Sequence, residues 1–475
     1  MTGNRRWQQR PAPGERELRL WKVGRALGVT FAAALLAAGG IFYGLVHLLE
    51  IEEIDSTAKL DAKTLFDLVK FSFGVVAGAG ALVALVVAYR RQRVDEAGAH
   101  REATRLHTER FSQAVDKLGS DSPAVRLGGV HALAGLADDA PDDSLRQTCI
   151  DVLCAYLRLP FPADPGDLPV LPDGSPPPED QRDAHQDRKD RYRAFREVRH
   201  TILRLVGDHY RIPQGTHRSW QGCDLDLTGV TIDGPLDFTG AEFADGRVDF
   251  RGATFSGLLV RFVGAVFSGG SVNFGFAKFA GIVDFDDAVF SGGDVGFGWA
   301  VFSGGRVDFG DAKFSGGHVD FNGATFSGGR VDFGHAKFSG GHVDFNGATF
   351  SGGRVDFGHA KFSAGIVAFK GAKFSGGRVD FGAAVFSGGH VAFEGAVFSG
   401  GDVDFGWAEF SGGDVAFEGA VFSGGDVGFG WAVFSGGHMD FSATTGPAPL
   451  MLLRAVGTPV PPEVRLRTDW LPAGP

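Results

Sequence analysis

Apolar positions in the second half of the chain follow a regular two-step rhythm. Phenylalanine recurs in alternating steps of five and seven residues, as at Phe309, Phe314, Phe321 and Phe326, so the repeating unit is a 12-mer. A small or branched apolar residue precedes each phenylalanine by two positions, which is the period of a strand whose alternate side chains point inward. Repeats of this kind predict a solenoid of short strands.

The polar positions indicate the length of one coil. They repeat best at 24 residues rather than 12, as in the series Arg306, Arg330, Arg354 and Arg378. A residue that recurs once per coil lies above its own copy, so the sequence predicts two 12-mers and four short strands per coil. We expect the "SGG" segments to form loops at two of the corners, because glycine accepts positive φ and leaves room for the neighbouring coil.

The phenylalanine pairs predict the size of the solenoid. From Phe238 and Phe243 to Phe429 and Phe434 there are 17 pairs, which predicts eight to nine coils. At the usual strand spacing this corresponds to a rod on the order of 40 Å long. One later gap, after Phe279, is six residues long instead of seven and predicts a one-residue deletion in a loop.

Segments such as "VDFGHAKFSGG" resemble the repeats of pentapeptide-repeat proteins. The resemblance covers residues 219–445 and implies a right-handed quadrilateral parallel β-helix. The steps of seven imply a more oblong coil than the plainest form of that family. The expected fold class is an all-β solenoid with about 24 residues per coil, preceded by two transmembrane helices and a small α-helical module. A shared fold does not carry a function with it.

Two stretches near the N-terminus carry no formal charge, residues 27–49 and 71–89. Both are long enough to span a bilayer, which predicts a transmembrane hairpin. A secretory signal is the rival interpretation of the first stretch, although its apolar run is long for a signal and a second stretch follows. Basic residues flank the hairpin and its connecting loop is mostly acidic. The positive-inside rule then predicts a multi-pass cell-membrane protein with its N-terminus and repeat domain in the cytoplasm.

A helical segment is predicted between the hairpin and the repeats. Ser122 and Pro123 suit the start of a helix, and apolar residues recur at helical spacing in the two segments that follow. Residues 108–160 resemble the short helical module that precedes the β-helix in bacterial membrane-anchored pentapeptide-repeat proteins. Residues 161–185 are Pro-rich and charged, which is typical of a flexible linker. A helix over residues 193–206 is expected to lead into the first coil and cover its open end.

The predicted organisation has seven parts. They are a cytoplasmic basic tail (1–26), a transmembrane hairpin (27–90), a juxtamembrane helical module (91–160), a Pro-rich linker (161–190), a capping helix with lead-in (191–218), the pentapeptide-repeat β-helix (219–445) and a C-terminal tail (446–475). The repeat region holds most of the glycines and phenylalanines of the 475-residue chain, 51 of 73 and 36 of 44.

Signatures of enzymes are missing from the sequence. It contains no nucleophile elbow, phosphate-binding loop, zinc-protease motif or Cys/His metal spacing, so we expect no enzyme activity, no cofactor and no metal. Cys149, Cys154 and Cys223 are too few for a disulfide framework or a zinc site, and the first two are expected to be buried thiols. Histidine columns, such as His335 with His359, could bracket a metal, but solvated copies of a repeated residue are the simpler interpretation because no third ligand accompanies them.

The charge of the repeat region is uneven. Residues 379–445 hold nine acidic residues and no lysine or arginine, whereas the preceding coils are near neutral. Tryptophans stand in outward places beside these acids, and exposed tryptophans are frequent hot spots for protein partners. The candidate partner surface comprises Trp407, Trp431, Asp402, Asp404, Glu409, Asp414, Glu418 and Asp426. The alternatives are a solubilising role for the acids and corner packing for the tryptophans.

These features favour a non-enzymatic, membrane-tethered scaffold or protein-interaction module that presents a rigid pentapeptide-repeat rod in the cytoplasm. Its expected partners are the lipid bilayer, through two helices, and an unknown protein, with no direct contact to nucleic acid. The family resemblance also implies an alternative. The acidic end of the rod would then mimic DNA and modulate a topoisomerase or another nucleic-acid-binding protein.

Overall fold

A computed structural model describes residues 28–29, 31–33, 36, 40, 62–168, 177–257 and 260–471. The chain divides into two compact units, residues 1–104 and 105–475. The first helix, α1 (Ala62–Leu118), contributes residues to both.

Within the parts of the chain that the structure describes, no helix has the length and apolar character needed to cross a membrane. The first predicted span, residues 27–49, lies mostly outside the described residues, and the second, residues 71–89, lies in α1. The transmembrane hairpin and the multi-pass membrane location are therefore not supported.

Three helices form the module that precedes the solenoid: α2 (Pro123–Asp138), α3 (Asp143–Arg158) and α4 (Glu179–Tyr210). Helix α2 begins at a proline, as predicted, but the side chain of Ser122 makes no capping hydrogen bond. Helix α3 is capped by Asp142, whose carboxylate accepts the Leu145 N–H at 2.9 Å. Helix α4 begins inside the segment predicted as a linker and is longer than the predicted lead-in helix.

The three helices pack through apolar faces that are almost fully buried. Cys149 and Cys154 lie on the buried face of α3, as expected. Burial raises the pKa of Cys149 to about 11 and that of Cys154 to about 12. Both thiols therefore act as small apolar core residues rather than as nucleophiles.

Short parallel strands follow the helices and make up the rest of the fold. In the first part of the solenoid most strands have two or three residues: β1 (Leu225–Asp226), β2 (Thr231–Ile232), β3 (Leu236–Asp237), β4 (Arg247–Asp249), β5 (Thr254–Phe255), β6 (Val260–Arg261), β7 (Val266–Phe267), β8 (Ser271–Asn273), β9 (Lys278–Phe279), β10 (Ile282–Asp284), β11 (Val289–Phe290), β12 (Asp294–Gly296), β13 (Val301–Phe302), β14 (Arg306–Asp308), β15 (Lys313–Phe314), β16 (His318–Asp320), β17 (Thr325–Phe326) and β18 (Arg330–Asp332).

In the second part the strands have eight residues each. They are β19 (Lys337–Asp344), β20 (Thr349–Asp356), β21 (Lys361–Ala368), β22 (Lys373–Asp380), β23 (Val385–Ala392), β24 (Val397–Asp404), β25 (Glu409–Ala416), β26 (Val421–Gly428) and β27 (Val433–Asp440). A helix α5 (Leu452–Val456), a two-residue strand β28 (Val464–Arg465) and a 3-10 helix η1 (Thr468–Trp470) complete the described chain.

The strand pairing confirms a parallel β-solenoid with about 24 residues per coil. Four columns of short strands run along it, and Arg306 pairs with Arg330 and then Arg354, as the polar period predicted. The deletion after Phe279 is absorbed in a loop, because Val283 pairs across it at a spacing of 23 residues without losing register.

The solenoid has about ten coils rather than the predicted eight to nine. The phenylalanine count missed the first coil, because Leu227 and Ile232 are fully buried there in the places that phenylalanine takes later. A strand with a different apolar residue pairs equally well, since the ladder hydrogen bonds come from the backbone.

The corners of each coil are of two kinds. Tight turns of the form Phe-x-x-Ala close both narrow edges, as at Phe333, whose C=O accepts the Ala336 N–H at 3.1 Å. The SGG segments were predicted as corner loops, but from Lys337 onward they lie inside the eight-residue strands. They bend those strands, because the second glycine has positive φ, +69° at Gly341, and its pairing is irregular there. The coil is therefore an oblong with two broad faces.

Stacked phenylalanine rings fill the space between the two broad faces. Along one column, Phe309 and Phe333 lie 4.7 Å apart with an angle of 2° between their rings. Across the coil the rings meet edge to face, as for Phe309 and Phe321 at 5.9 Å and 81°. Both arrangements suit the aromatic quadrupole, and the rings are almost completely buried.

Both ends of this apolar interior are covered. At the N-terminal end the buried ring of Tyr210, the last residue of α4, lies 5.4 Å from Phe238 and 5.5 Å from Phe243. At the other end the segment predicted as a C-terminal tail folds over the last coil, and Trp470 lies 6.1 Å from Phe441. Covered ends stop further coils from adding to the stack.

Two carboxylates, the buried Asp138 and the half-buried Asp233, hold the helical module to the first coils. Asp138 of α2 accepts hydrogen bonds from Arg218 at 2.9 Å and Trp220 at 3.2 Å. Asp233 accepts one from Arg196 of α4 at 2.6 Å and faces His200 at 3.1 Å. Burial by itself would raise the pKa of Asp233, but hydrogen bonds and the charges of His200 and Arg196 lower it to about 2.

Candidate interaction surface

On one edge of the solenoid, the Phe-x-x-Ala turns of residues 333–434 present one side chain outward from a backbone position with positive φ. At Trp407 φ is +60° and at Trp431 it is +61°. The turn containing Trp407 is closed by a 3.1 Å hydrogen bond from the Ala408 N–H to the Phe405 C=O. Left-handed φ is uncommon for bulky residues and natural for glycine. The chain uses glycine at the equivalent place on the opposite edge, for example at Gly395.

The two tryptophans stack on one another, as the 24-residue spacing predicted. Their ring centroids are 5.5 Å apart and the ring planes differ by 17°. Both side chains are largely exposed, 67% for Trp407 and 61% for Trp431. The guanidinium of Arg454, from the C-terminal segment, lies 5.7 Å from the ring centroid of Trp431. The corner-packing alternative does not fit such exposure.

A groove of roughly 770 Å³ runs beside these turns. Its floor is a ladder in which each arginine bridges the aspartate of its own coil and that of the next. Arg354, for example, lies 2.8 Å from Asp356 and 3.2 Å from Asp380. The other carboxylate oxygen of Asp356 accepts the Gly358 N–H at 3.0 Å. The alternating charges remove the repulsion that a column of aspartates would otherwise have.

At the two ends of this ladder the aspartates have fewer arginine partners than in its middle. At the start, burial and the neighbouring carboxylate of Asp308 raise the pKa of Asp286. At the other end Asp402 occupies the place that arginine holds in the four preceding coils, and it pairs with Arg378 in register. Among the described residues, Arg378 at 3.5 Å is then the one arginine within ion-pair distance of Asp404.

The structure brings together six of the eight predicted surface residues. Asp402, Asp404 and Asp426 lie on β24 and β26, the strands that lead into the turns of Trp407 and Trp431. Glu409 directly follows the first of these turns, at the start of β25. Asp414 lies towards the far end of β25 and Glu418 lies in the turn of the opposite edge. The predicted patch therefore occupies two edges of the coil.

Several features of this surface were not predicted from the sequence. On the opposite edge Trp299 is exposed, as its place two residues after a phenylalanine indicates, but the exposed Phe276 in the same column of left-handed turn positions was not predicted. The groove and the contact of Arg454 with Trp431 were missed as well, since both depend on residues that are distant in sequence. Phe276 could have been predicted as an exposed residue, because it stands where most coils have glycine on that edge.

The histidine columns stack as their spacing indicated. His335 and His359 lie 5.0 Å apart with parallel rings, and His318 and His342 lie 5.2 Å apart. In the described segments no group of three or more His, Cys, Asp or Glu side chains is placed to hold a metal ion.

No protein-family model, curated protein or solved structure matches this chain. The architecture itself is that of a parallel β-solenoid with regular phenylalanine repeats, which fits a pentapeptide-repeat protein. Repeat solenoids of this class typically have structural or interaction-mediating roles.

Proposed function

We propose that this chain is a non-enzymatic protein-interaction scaffold of the pentapeptide-repeat type. Its partner surface is the edge formed by Trp407 and Trp431 together with the neighbouring acids Asp402, Asp404 and Asp426. A bilayer contact is not part of the proposed function. The scaffold acts by presenting a preformed surface, so that little conformational entropy is lost when the partner binds.

The exposed tryptophan pair is the observation that carries this function. A tryptophan at positive φ is held in a backbone conformation that glycine would adopt with less strain. The ring also leaves a large apolar surface in water, where it contributes nothing to the core. Strain and exposure in the same two residues favour a role in binding, since tryptophan is the residue type most enriched at the centres of interfaces.

The packed interior of the solenoid supports the proposal that the scaffold is not an enzyme. In the described coils, buried phenylalanine ladders fill the space between the two broad faces, which is where an apolar small-molecule pocket would otherwise lie. The groove on the outside is shallow and lined by ion pairs. Assignment to the pentapeptide-repeat type is supported by four strand columns per coil and by the steps of five and seven.

Affinity capture with the full-length chain from lysate of its own host tests this function. A variant carrying Trp407→Ala and Trp431→Ala should lose the captured partner. A matched control, Trp299→Ala, removes a tryptophan of equal exposure from the opposite edge and should keep it. Capture that is equal with all three proteins, or lost equally with both variants, would contradict the proposed surface.

A second candidate function is charge mimicry towards a nucleic-acid-binding protein. It is favoured by the absence of lysine and arginine from residues 379–445, where nine acids are distributed over both edges and both broad faces. Such a surface produces a negative potential that attracts DNA-binding sites. A DNA supercoiling assay with the full-length chain tests it, and unchanged topoisomerase activity at saturating concentration would exclude this function for the enzyme used.

A further inference from the structure

The side chains at the outward turn position form a column along one edge of the solenoid. Successive coils place His335, His359, Ala383, Trp407 and Trp431 there, each at positive φ. The coils are directly hydrogen bonded at this position: the His359 N–H donates to the Gly382 C=O at 3.0 Å. The column is therefore two stacked histidines and two stacked tryptophans, interrupted by one alanine.

The interruption is the size of one planar group. Stacked rings in this column lie 5.0 Å apart for the histidines and 5.5 Å apart for the tryptophans. Two coil steps, at about 4.8 Å each, place His359 and Trp407 roughly 10 Å apart. Each of these rings stacks on its neighbour with one face, so its other face points along the column towards Ala383. A flat group above Ala383 would contact both rings at the spacing found elsewhere in the column.

The gap opens into the acidic end of the groove. His359, Ala383, Trp407, Asp380 and Asp404 all border the same open volume. The side chain of Asp380 is 12% exposed and has two arginine partners, whereas that of Asp404 is 43% exposed. The gap thus combines two aromatic faces with a carboxylate that has room for a further cation.

The chain already places an arginine on the same column. Arg454 covers the outer face of Trp431, 5.7 Å from the ring centroid. A guanidinium is flat, is always charged, stacks on aromatic rings and forms paired hydrogen bonds with a carboxylate. A lysine ammonium shares the charge but cannot stack between two rings. Phosphate-bearing groups are disfavoured by the carboxylates around the gap.

We infer that the gap above Ala383 is a binding slot for an arginine side chain of the partner protein. Its guanidinium stacks between His359 and Trp407 and pairs with Asp404, whose own coil has Asp402 in place of the ladder arginine. This inference rests on the proposed function and names the chemistry that the partner must bring. The partner segment is therefore basic and exposes at least one arginine.

Fluorescence anisotropy with the full-length chain tests the slot. The probes are a labelled oligoarginine and an oligolysine of the same length, measured at one ionic strength. The chain should bind oligoarginine about tenfold more tightly, since cation–π stacking is strongest for arginine in a desolvated site. Because the two peptides carry equal charge, this ratio removes the general attraction of an acidic protein for a cation.

Two variants change the slot using residues that the chain itself uses at the same place. Ala383→His fills the gap, and the backbone accepts it because φ is +54° at Ala383 and +59° at His359. Asp402→Arg restores the arginine that the preceding coils have. Both should bring the affinity ratio close to one. The control, Asp311→His, adds a histidine to the same column away from the gap and should leave the ratio unchanged.

Equal affinity of the unchanged chain for the two peptides would overturn the slot, as would a ratio that survives Ala383→His. The proposed interaction surface would stand in either case if Trp407→Ala with Trp431→Ala still abolished capture of the partner. If the tryptophan variant kept the partner while the peptide ratio behaved as expected, the slot would stand and the proposed function would be wrong.

Discussion

Removing one ring from the middle of the phenylalanine ladder should destabilise the solenoid strongly. Phe357 is completely buried and stacks between Phe333 and Phe381, each 4.8 Å away with ring planes 4° apart. It also meets Phe345 at 5.8 Å and Phe369 at 5.9 Å, edge to face. Phe→Ala substitutions in protein cores raise the free energy of the folded state by about 3–5 kcal/mol.

The upper half of that range is expected for Phe357→Ala. The backbone of each coil is hydrogen bonded to the coils above and below, so the walls of the cavity cannot collapse into the space that the ring leaves. These four stacked and edge-to-face contacts, to which a tilted contact with Phe338 is added, contribute about 0.5–1.5 kcal/mol each beyond the area that they bury, and part of this is recovered by repacking of the neighbours.

Guanidinium denaturation followed by far-UV circular dichroism measures this effect. The matched control is Phe276→Ala, which removes the same side chain from a place where it is 67% exposed. The control should change the free energy of unfolding by less than about 0.5 kcal/mol. If Phe357→Ala behaved like the control, the ladder could not be what holds the coils together. A transition that splits into two steps would show coil-by-coil unfolding, as in other repeat proteins.

Three further predictions concern the backbone, the charges and the thiols. Gly347 has φ +63° with open space around it, so Gly347→Ala should destabilise the fold by about 1–2 kcal/mol through backbone strain alone. Gly341→Ala should destabilise it by more, because the added Cβ would lie 2.7 Å from the backbone of the preceding coil. Chemical denaturation of the two variants measures the difference. The folded-state pKa of Asp233 is lowered to about 2. Its carboxylate therefore contributes about 2 kcal/mol to the free energy of unfolding above about pH 4, and this contribution is lost as the pH falls towards 2. The difference in stability between the unchanged chain and Asp233→Asn should vanish over that pH window. Cys149 and Cys154 should not react with a thiol reagent at pH 8 until the protein is unfolded, since burial raises their pKa values to about 11 and about 12. Rapid labelling of both thiols in the folded chain would contradict this.

Prediction from the sequence worked well where the repeat itself carried the information. A side chain such as Arg330 meets its own copies at Arg306 and Arg354, so a 24-residue period is sufficient to place it in the coil. The stacking of Trp407 on Trp431 follows in the same way. Even the number of coils was off by only about one, because Leu227 and Ile232 replace phenylalanine in the first coil.

Prediction was poorest for contacts outside the repeat. The charge-free residues 71–89 indicated a membrane span that no described helix supports. The last 30 residues indicated only a tail, whereas Trp470 and α5 cover the final coil. The eight-residue partner surface was grouped by position along the chain, but successive turns, 12 residues apart, lie on opposite edges of the coil, so Asp414 and Glu418 lie away from Trp407.

The sequence by itself determined the strand period, the coil length and which side chains form columns, because in a parallel stack each residue sees mainly its own copies. Only the tertiary structure decided how different columns meet. The ring-sized gap above Ala383, the open side of Asp404 and the placement of Arg454 on Trp431 depend on distances between residues from separate coils and from the C-terminal segment. Those distances come from the way the coils and their end caps pack, and no single period in the chain encodes them.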